Sequence, residues 1–295
     1  MKIISSSWVH PDAIHQGSFS FDCGHSCPII RVESIHALNQ VVGYVKFLNK
    51  SYGEVYFRGQ CELYKKLLPS IYRYGTSNSS VATRNQKIST YINTCASKMP
   101  CISNINVNVR EPLLQHYGIK TRWLDLVDNL WIALWFSIHK YKASTHDRTY
   151  EYVYARDDDA SSAYILMVFS DADIKSPITD GYYVGKTTEL VDLRVAAPSI
   201  FLRPHAQHAI LIKPRINQNI QDVDLAKNVC LAIEMNVGKI KEWLGSGLLI
   251  SSENIYPPPV FDNGYSILLE KAPHNKADMK NFGSITSMSF SSQRI

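Results

Sequence analysis

Leu130-Trp131-Ile132-Ala133-Leu134-Trp135-Phe136 is a run of seven apolar residues preceded by Asp128-Asn129. Asp128 is a suitable N-cap, so the run predicts a helix from Asn129 to about His139. A helix that is apolar on every side belongs in the centre of a domain. Seven residues fall far short of the ~20 needed to cross a bilayer. Upstream stands Glu111-Pro112-Leu113-Leu114-Gln115-His116-Tyr117-Gly118. Pro112 suits the first turn of a helix running to Tyr117, and Gly118 can close it in a left-handed conformation. Lys120-Thr121-Arg122 then forms a loop leading to Asp125. Whatever that loop carries is held rigidly against the core.

Working outward, Ile35, Leu38, Val41, Val42, Val45 and Leu48 recur at helical spacing behind a capping Ser34, and the helix should end near Lys50. Val55, Tyr56 and Phe57 suit a short strand between Gly53 and Gly59. Thr76 to Ser80 is a polar stretch, and residues 141 to 162 look like a solvated excursion. In the second half, Tyr164–Phe169, Leu190–Val195, His208–Ile212 and Val229–Glu234 read as strands. Gly238–Leu244 and Asn263–Leu269 read as short helices. Helices early and strands late predict one α+β domain: early helices, including a buried apolar one, and a later, mainly antiparallel sheet. Residues 1–30, rich in Ser, His, Pro and Gly, are expected to be an irregular lead-in. The globular domain spans 31–280, and the Ser-rich 281–295 is expected to be a flexible tail.

The chain has 295 residues, 45% hydrophobic and 19% charged, with 31 basic against 26 acidic side chains and a net charge of +5. This permits an anionic ligand and does not demand one, because no block of Lys and Arg concentrates the charge. Met1 to His10 lacks the apolar run of a signal peptide, and six scattered cysteines do not form a disulfide framework, so a cytoplasmic protein is expected. Cys23-Gly24-His25-Ser26-Cys27 lacks a second ligand pair at zinc spacing, and Asp157-Asp158-Asp159 reads as a surface turn. No metal is expected.

Arg58 closes the early strand, and Gly59 after it allows close approach of a ligand or another backbone. A guanidinium there can hold phosphate or carboxylate, or can fasten a loop. Between Gln115 and Asp125 the chain crowds an amide, an imidazole, a hydroxyl, a guanidinium and a carboxylate into one turn beside a core helix. Such groups must be hydrogen-bonded or face a cavity. Arg122 and Asp125 can pair as a structural lock, and His116 can be a satisfied buried histidine. Convergent polar groups on a rigid support equally describe a pocket.

Phe57-Arg58-Gly59-Gln60, Leu67-Leu68-Pro69-Ser70-Ile71-Tyr72-Arg73, the Leu114–Asp125 block and the Asn129–Ser137 helix together resemble the FRG domain family, in order and spacing, over roughly residues 51 to 140. Arg203-Pro204-His205-Ala206-Gln207-His208-Ala209 resembles a later family segment, in which an Arg precedes a Gln at the start of a strand. Here His208-Ala209 stands where a Gly is commoner. The resemblance implies occurrence in bacterial and phage proteins and leaves the reaction open.

Three functions compete. The layout is similar to that of ADP-ribosyltransferases, with NAD as substrate: Arg58 on the NAD phosphates or ribose, Thr121 in the nicotinamide segment and Gln207 in the acidic position, where an amide cannot supply charge and Asp125 would have to substitute. The catalytic candidates are therefore Arg58, Thr121, Asp125 and Gln207. The second function is a non-catalytic nucleotide or nucleic-acid binding module. Arg58, Arg122 and Arg203 would contact phosphates while Tyr117 or Trp123 stacks on a base, with Gln115 and His116 completing the ligand contacts. The third is a metal-independent nuclease with His116 as base. No membrane partner is expected, and a protein partner is unspecified.

Overall fold

The computed structural model describes residues 1–2, 10–73, 78–143, 150–154, 158–215, 223–245, 250–273, 282–285 and 288–290. Within them the strands are β1 (Ala13–Ser20), β2 (Ser26–Val32), β3 (Glu54–Gln60), β4 (Leu124–Val127), β5 (His139–Ala143), β6 (Tyr150–Tyr154), β7 (Ser162–Ser170), β8 (Tyr182–Val184), β9 (Thr188–Asp192), β10 (Ala209–Pro214), β11 (Val229–Asn236) and β12 (Met288–Phe290). The helices are α1 (Ile35–Asn49), α2 (Asn78–Lys98), α3 (Pro100–Ser103), α4 (Val107–Gln115), α5 (Leu130–Ile138), α6 (Leu193–Ala196), α7 (Leu202–Ala206), α8 (Val237–Leu244), α9 (Ser252–Ile255) and α10 (Asn263–Lys271). The chain is a single α+β domain on a mostly antiparallel sheet of nine strands, in the order β1-β2-β11-β7-β3-β4-β10-β9-β8. Only β11 and β2 pair in parallel within it. A small second sheet has the order β12-β6-β5.

Alternation along the strands assigns each side chain to a layer. Val55 and Phe57 of β3, with Ile165 and Met167 of β7, point to the face covered by α1, α5 and α8. Tyr56, Leu166 and Val168 point to the other face, where they meet Leu124, Leu126, Ile210 and Ile212. A third apolar cluster joins α2, α4 and α10 to Trp123, Leu211 and Phe201. The turn between α4 and β4 is therefore seated on its own core.

Helix α5 forms as its composition requires, with Ile132, Ala133, Leu134, Trp135 and Ile138 buried. Its N-cap is Asn129, whose side chain accepts from Trp131 N at 2.9 Å and Ile132 N at 3.3 Å, so the expected cap at Asp128 is corrected by one residue. Asp128 is instead drawn to Arg194 and His208. The preceding helix starts at Val107, capped by Asn106, so Pro112 lies inside it and not in its first turn. Helix α1 begins where expected, with Ala37 N donating to Ser34 Oγ at 3.3 Å.

Residues 1–30 are not simply irregular, because β1 and β2 form an antiparallel hairpin there. Residues 141 to 162 contain strand β6 and the ends of β5 and β7. Of the polar Thr76–Ser80, residues 78–80 begin α2, and Thr76 and Ser77 lie outside the described residues. Of the expected flexible tail, Phe282 and Ile285 are buried in the third cluster, and Phe282 O accepts from Lys120 N at 2.6 Å. Strand β12 follows, while residues 281, 286–287 and 291–295 lie outside the described residues. Among the described residues no helix is long and apolar enough to cross a membrane.

Candidate functional site

Phe57, Arg58 and Gly59 do three different jobs on one strand. Phe57 is buried in the α1–α5–α8 layer. Gly59 lies under α5: a Cβ there would sit 2.1 Å from Ala133 O and 2.7 Å from Ser137 N, so helix and strand meet at this distance only because residue 59 has no side chain. The close approach foreseen at Gly59 is thus that of a backbone. Arg58 points the other way. Strands β3 and β4 pair only at Phe57↔Val127. Where that ladder stops, Arg58 Nη1 donates to Asp125 O at 2.7 Å. Turned to satisfy its surroundings, the Gln60 amide oxygen accepts from Arg58 Nε at 3.1 Å.

No carboxylate forms an ion pair with Arg58 among the described residues. Burial, then the nearby Arg73, pulls its pKa down to about 10 against the opposing charge of Asp125. Arg73 likewise has no ion pair there, and its Nε donates to Leu68 O at 3.1 Å. Lys120 is held below the ordinary lysine range by burial and by the charges of Arg73 and Arg84. Arg73 thus opposes the charge of both Arg58 and Lys120, and Arg84 that of Lys120. Tyr64, half exposed, lies near enough to Arg58 to act on its charge.

Asp125 projects from β4 with its side chain half exposed, and Oδ1 stands 3.7 Å from Nε2 of the buried His116. His116 Nδ1 lies 2.8 Å from Gln207 Oε1, and Gln207 Nε2 donates to Ile255 O at 3.0 Å. Burial pushes the His116 pKa down; Asp125 and Gln207 resist this, and Arg203 adds to it. His116 Nε2 is buried without a hydrogen-bond partner.

The other expected site residues face inward. Thr121 is fully buried: its hydroxyl donates to Gln115 Oε1 and accepts from Trp123 N at 3.1 Å. Arg122 does not pair with Asp125. Its N, Nε and Nη2 all donate to the buried Glu111 carboxylate, a lock at the foot of the turn. Arg203 is buried among the rings of Tyr117, Tyr256 and Tyr265, 4.4 to 5.3 Å from their centres, and Nη1 donates to His116 O at 2.6 Å. Tyr117 OH donates to the buried Asp262 at 2.8 Å. Tyr117 and Trp123 are both buried, so neither presents a face for stacking. Gln207 caps the end of α7, just before β10.

No group of three or more metal-type ligands occurs among the described residues. His25 Nε2 contacts Val229 O, while Cys27 is buried and Cys23 exposed. Asp158 caps a turn, Asp159 pairs with Lys241, and Asp157 lies outside the described residues. A groove of about 440 Å³ on α2, lined by Thr83, Gln86, Lys87, Thr90, Tyr91, Thr94 and Pro273, shares no lining residue with the Arg58 cluster.

The model of one family, the FRG domain, matches residues 53–146. This chain carries an FRG domain. The match spans β3, α2, α3, α4, β4, α5 and β5, so the tripeptide Phe57-Arg58-Gly59, the polar turn and the apolar helix are parts of one assembly. No curated protein and no solved structure matches the chain. His208, outside the matched residues, has φ 50, the left-handed region that favours glycine. Its imidazole stands 3.1 Å from Asp128. Sequence reasoning missed Glu111, Tyr64, Arg73 and Asp262. Arg73 stood inside a motif block, but nothing in its neighbours announced an uncompensated charge.

Proposed function

We propose that the FRG domain binds a phosphate-bearing nucleotide at Arg58. One observation carries this: the half-buried Arg58 and the exposed Arg73 lie near each other, with no ion pair to either among the described residues. Neighbouring cations that oppose each other's charge gain from an anion placed between them, and guanidinium geometry favours phosphate. Tyr64, half exposed beside Arg58, offers a face for a base. Thr121 and Gln207 act from behind: Thr121 shapes the turn, and Gln207 orients His116. Arg122 and Arg203 are held by Glu111 and the tyrosines, which leaves Arg58 and Arg73 for the phosphates.

A second reading, ADP-ribosyl transfer from NAD, is favoured by the half-exposed Asp125 carboxylate beside Arg58. In that reaction the bond between ribose C1′ and the nicotinamide nitrogen breaks, and nicotinamide leaves with the electron pair. An acceptor nucleophile then attacks C1′. Asp125 supplies the negative charge that stabilises the oxocarbenium-like centre, the part Gln207 cannot play. Thermal-shift measurements with NAD, nucleoside triphosphates and short oligonucleotides test the first reading; a ligand at a hundred times its Kd adds ~2.7 kcal/mol of stability. Nicotinamide release from NAD, abolished in Asp125→Asn, tests the second. Cleavage of oligonucleotides without metal would instead favour a nuclease.

A further inference from the structure

We propose that His116 Nε2 and Asp125 form a pair of hydrogen-bond acceptors that reads the vicinal hydroxyls of a ribose, making this a ribonucleotide site. The inference rests on the nucleotide reading above and specifies its ligand.

The argument starts at Gln207. Its Nε2 donates to Ile255 O at 3.0 Å, which fixes the amide orientation and turns Oε1 to His116 Nδ1 at 2.8 Å. An amide oxygen only accepts, so Nδ1 carries the ring proton and Nε2 of the neutral imidazole carries the lone pair. Burial, reinforced by Arg203, keeps the ring neutral at pH 7 against the pull of Asp125 and Gln207. The His116 side chain is only 6% exposed, and Nε2 has no hydrogen-bond partner. What faces it is Asp125 Oδ1 at 3.7 Å, a second acceptor.

Two acceptors opposed at this distance leave an unsatisfied buried nitrogen, and that costs stability unless a donor arrives. Asp125 is half exposed and free to turn outward. A vicinal diol supplies one hydroxyl to each acceptor. Arg58 holds the Asp125 main chain, so phosphate and sugar contacts meet at one residue. A deoxyribose or a bare phosphate leaves the pair unfilled.

Calorimetric titration of the full chain with AMP, 2′,3′-dideoxy-AMP and inorganic pyrophosphate separates the claims. Wild type should bind AMP at least about tenfold more tightly than the dideoxy compound, as hydrogen bonds to a charged acceptor allow. Asp125→Ala should bring that ratio close to one, as should Gln207→Leu, which frees the imidazole tautomer. Equal binding of AMP and dideoxy-AMP by wild type overturns the ribose inference and leaves the nucleotide reading standing. If pyrophosphate and both nucleotides fail to bind wild type, the nucleotide reading falls and the ribose inference falls with it.

Discussion

Arg58 Nη1 donates to the main-chain carbonyl of Asp125 at 2.7 Å and makes no ion pair with its carboxylate. That choice of atom gives Arg58 two tasks. The bond ties β3 to β4 where their ladder has already ended. The positive charge, influenced by the nearby Asp125 carboxylate but held in no ion pair, stays available to a ligand. The Asp125 side chain is freed to face His116.

Gly59→Ala should cost at least about 3 kcal/mol, because the added methyl meets Ala133 O and Ser137 N of α5, main-chain atoms that cannot yield without moving the helix. Gly43→Ala is the control. Gly43 is exposed within α1, with nothing within 4 Å of a Cβ, so the change should stabilise by about 0.5–1 kcal/mol. Urea unfolding of both variants measures the contrast.

Trp135→Ala should cost on the order of 3–5 kcal/mol, and Trp131→Ala under about 1 kcal/mol. Trp135 is 2% exposed and stacks on His139, whereas Trp131 is 38% exposed on the first turn of α5. Equal losses in thermal melts would contradict this placement.

The Arg122–Glu111 lock should be asymmetric. Glu111→Gln leaves Arg122, 35% exposed, able to recover water, at a cost of about 1–2 kcal/mol. Arg122→Ala strands the buried Glu111 carboxylate and should cost about 3–5 kcal/mol. Neither should change nucleotide affinity in the folded protein by more than about twofold, and denaturant titration with parallel binding assays checks both points.

Stability should fall in mild acid through His139. Its pKa is pulled from 6.5 down to about 4, chiefly by burial, with its bond to Trp135 O opposing. The unfolded chain therefore takes up the proton first as pH falls. Stability from this group is complete above pH 6.5, is lost between 6.5 and about 4, and changes little below that, for a total on the order of 3 kcal/mol. His116 acts in the same direction. His139→Leu should flatten the difference in unfolding free energy between pH 7 and pH 4.5; an unchanged difference would show that His139 is not the titrating group.

Much of the fold was legible where burial imposes a pattern. The apolar α5 and the continuous apolar runs of β7 and β11 announce themselves. The hairpin at 13–32 did not, because β1 is an edge strand exposed along most of its length and shows no alternation. Helix α2 hid behind Ser, Thr and Asn, residues that read locally as loop and become helical only through tertiary contact. Arg58 and the 115–125 turn were legible as a dense polar cluster. Their pairings were not, since His116 meets Gln207 across 91 positions and Tyr117 meets Asp262 across 145. Arg122 and Asp125, close in sequence, looked like partners, but the buried Glu111 takes the guanidinium.

Calorimetric titration of NAD into wild type and Arg58→Ala, with melting temperatures measured alongside, tests the central claim most directly. Arg58 makes a hydrogen bond to a neutral carbonyl and no ion pair, so its removal should cost only about 1–2 kcal/mol of stability. Loss of a guanidinium–phosphate contact should weaken NAD binding at least about tenfold. A folded Arg58→Ala protein that binds NAD as wild type does, or a wild type that binds neither NAD nor AMP nor pyrophosphate, would contradict the account.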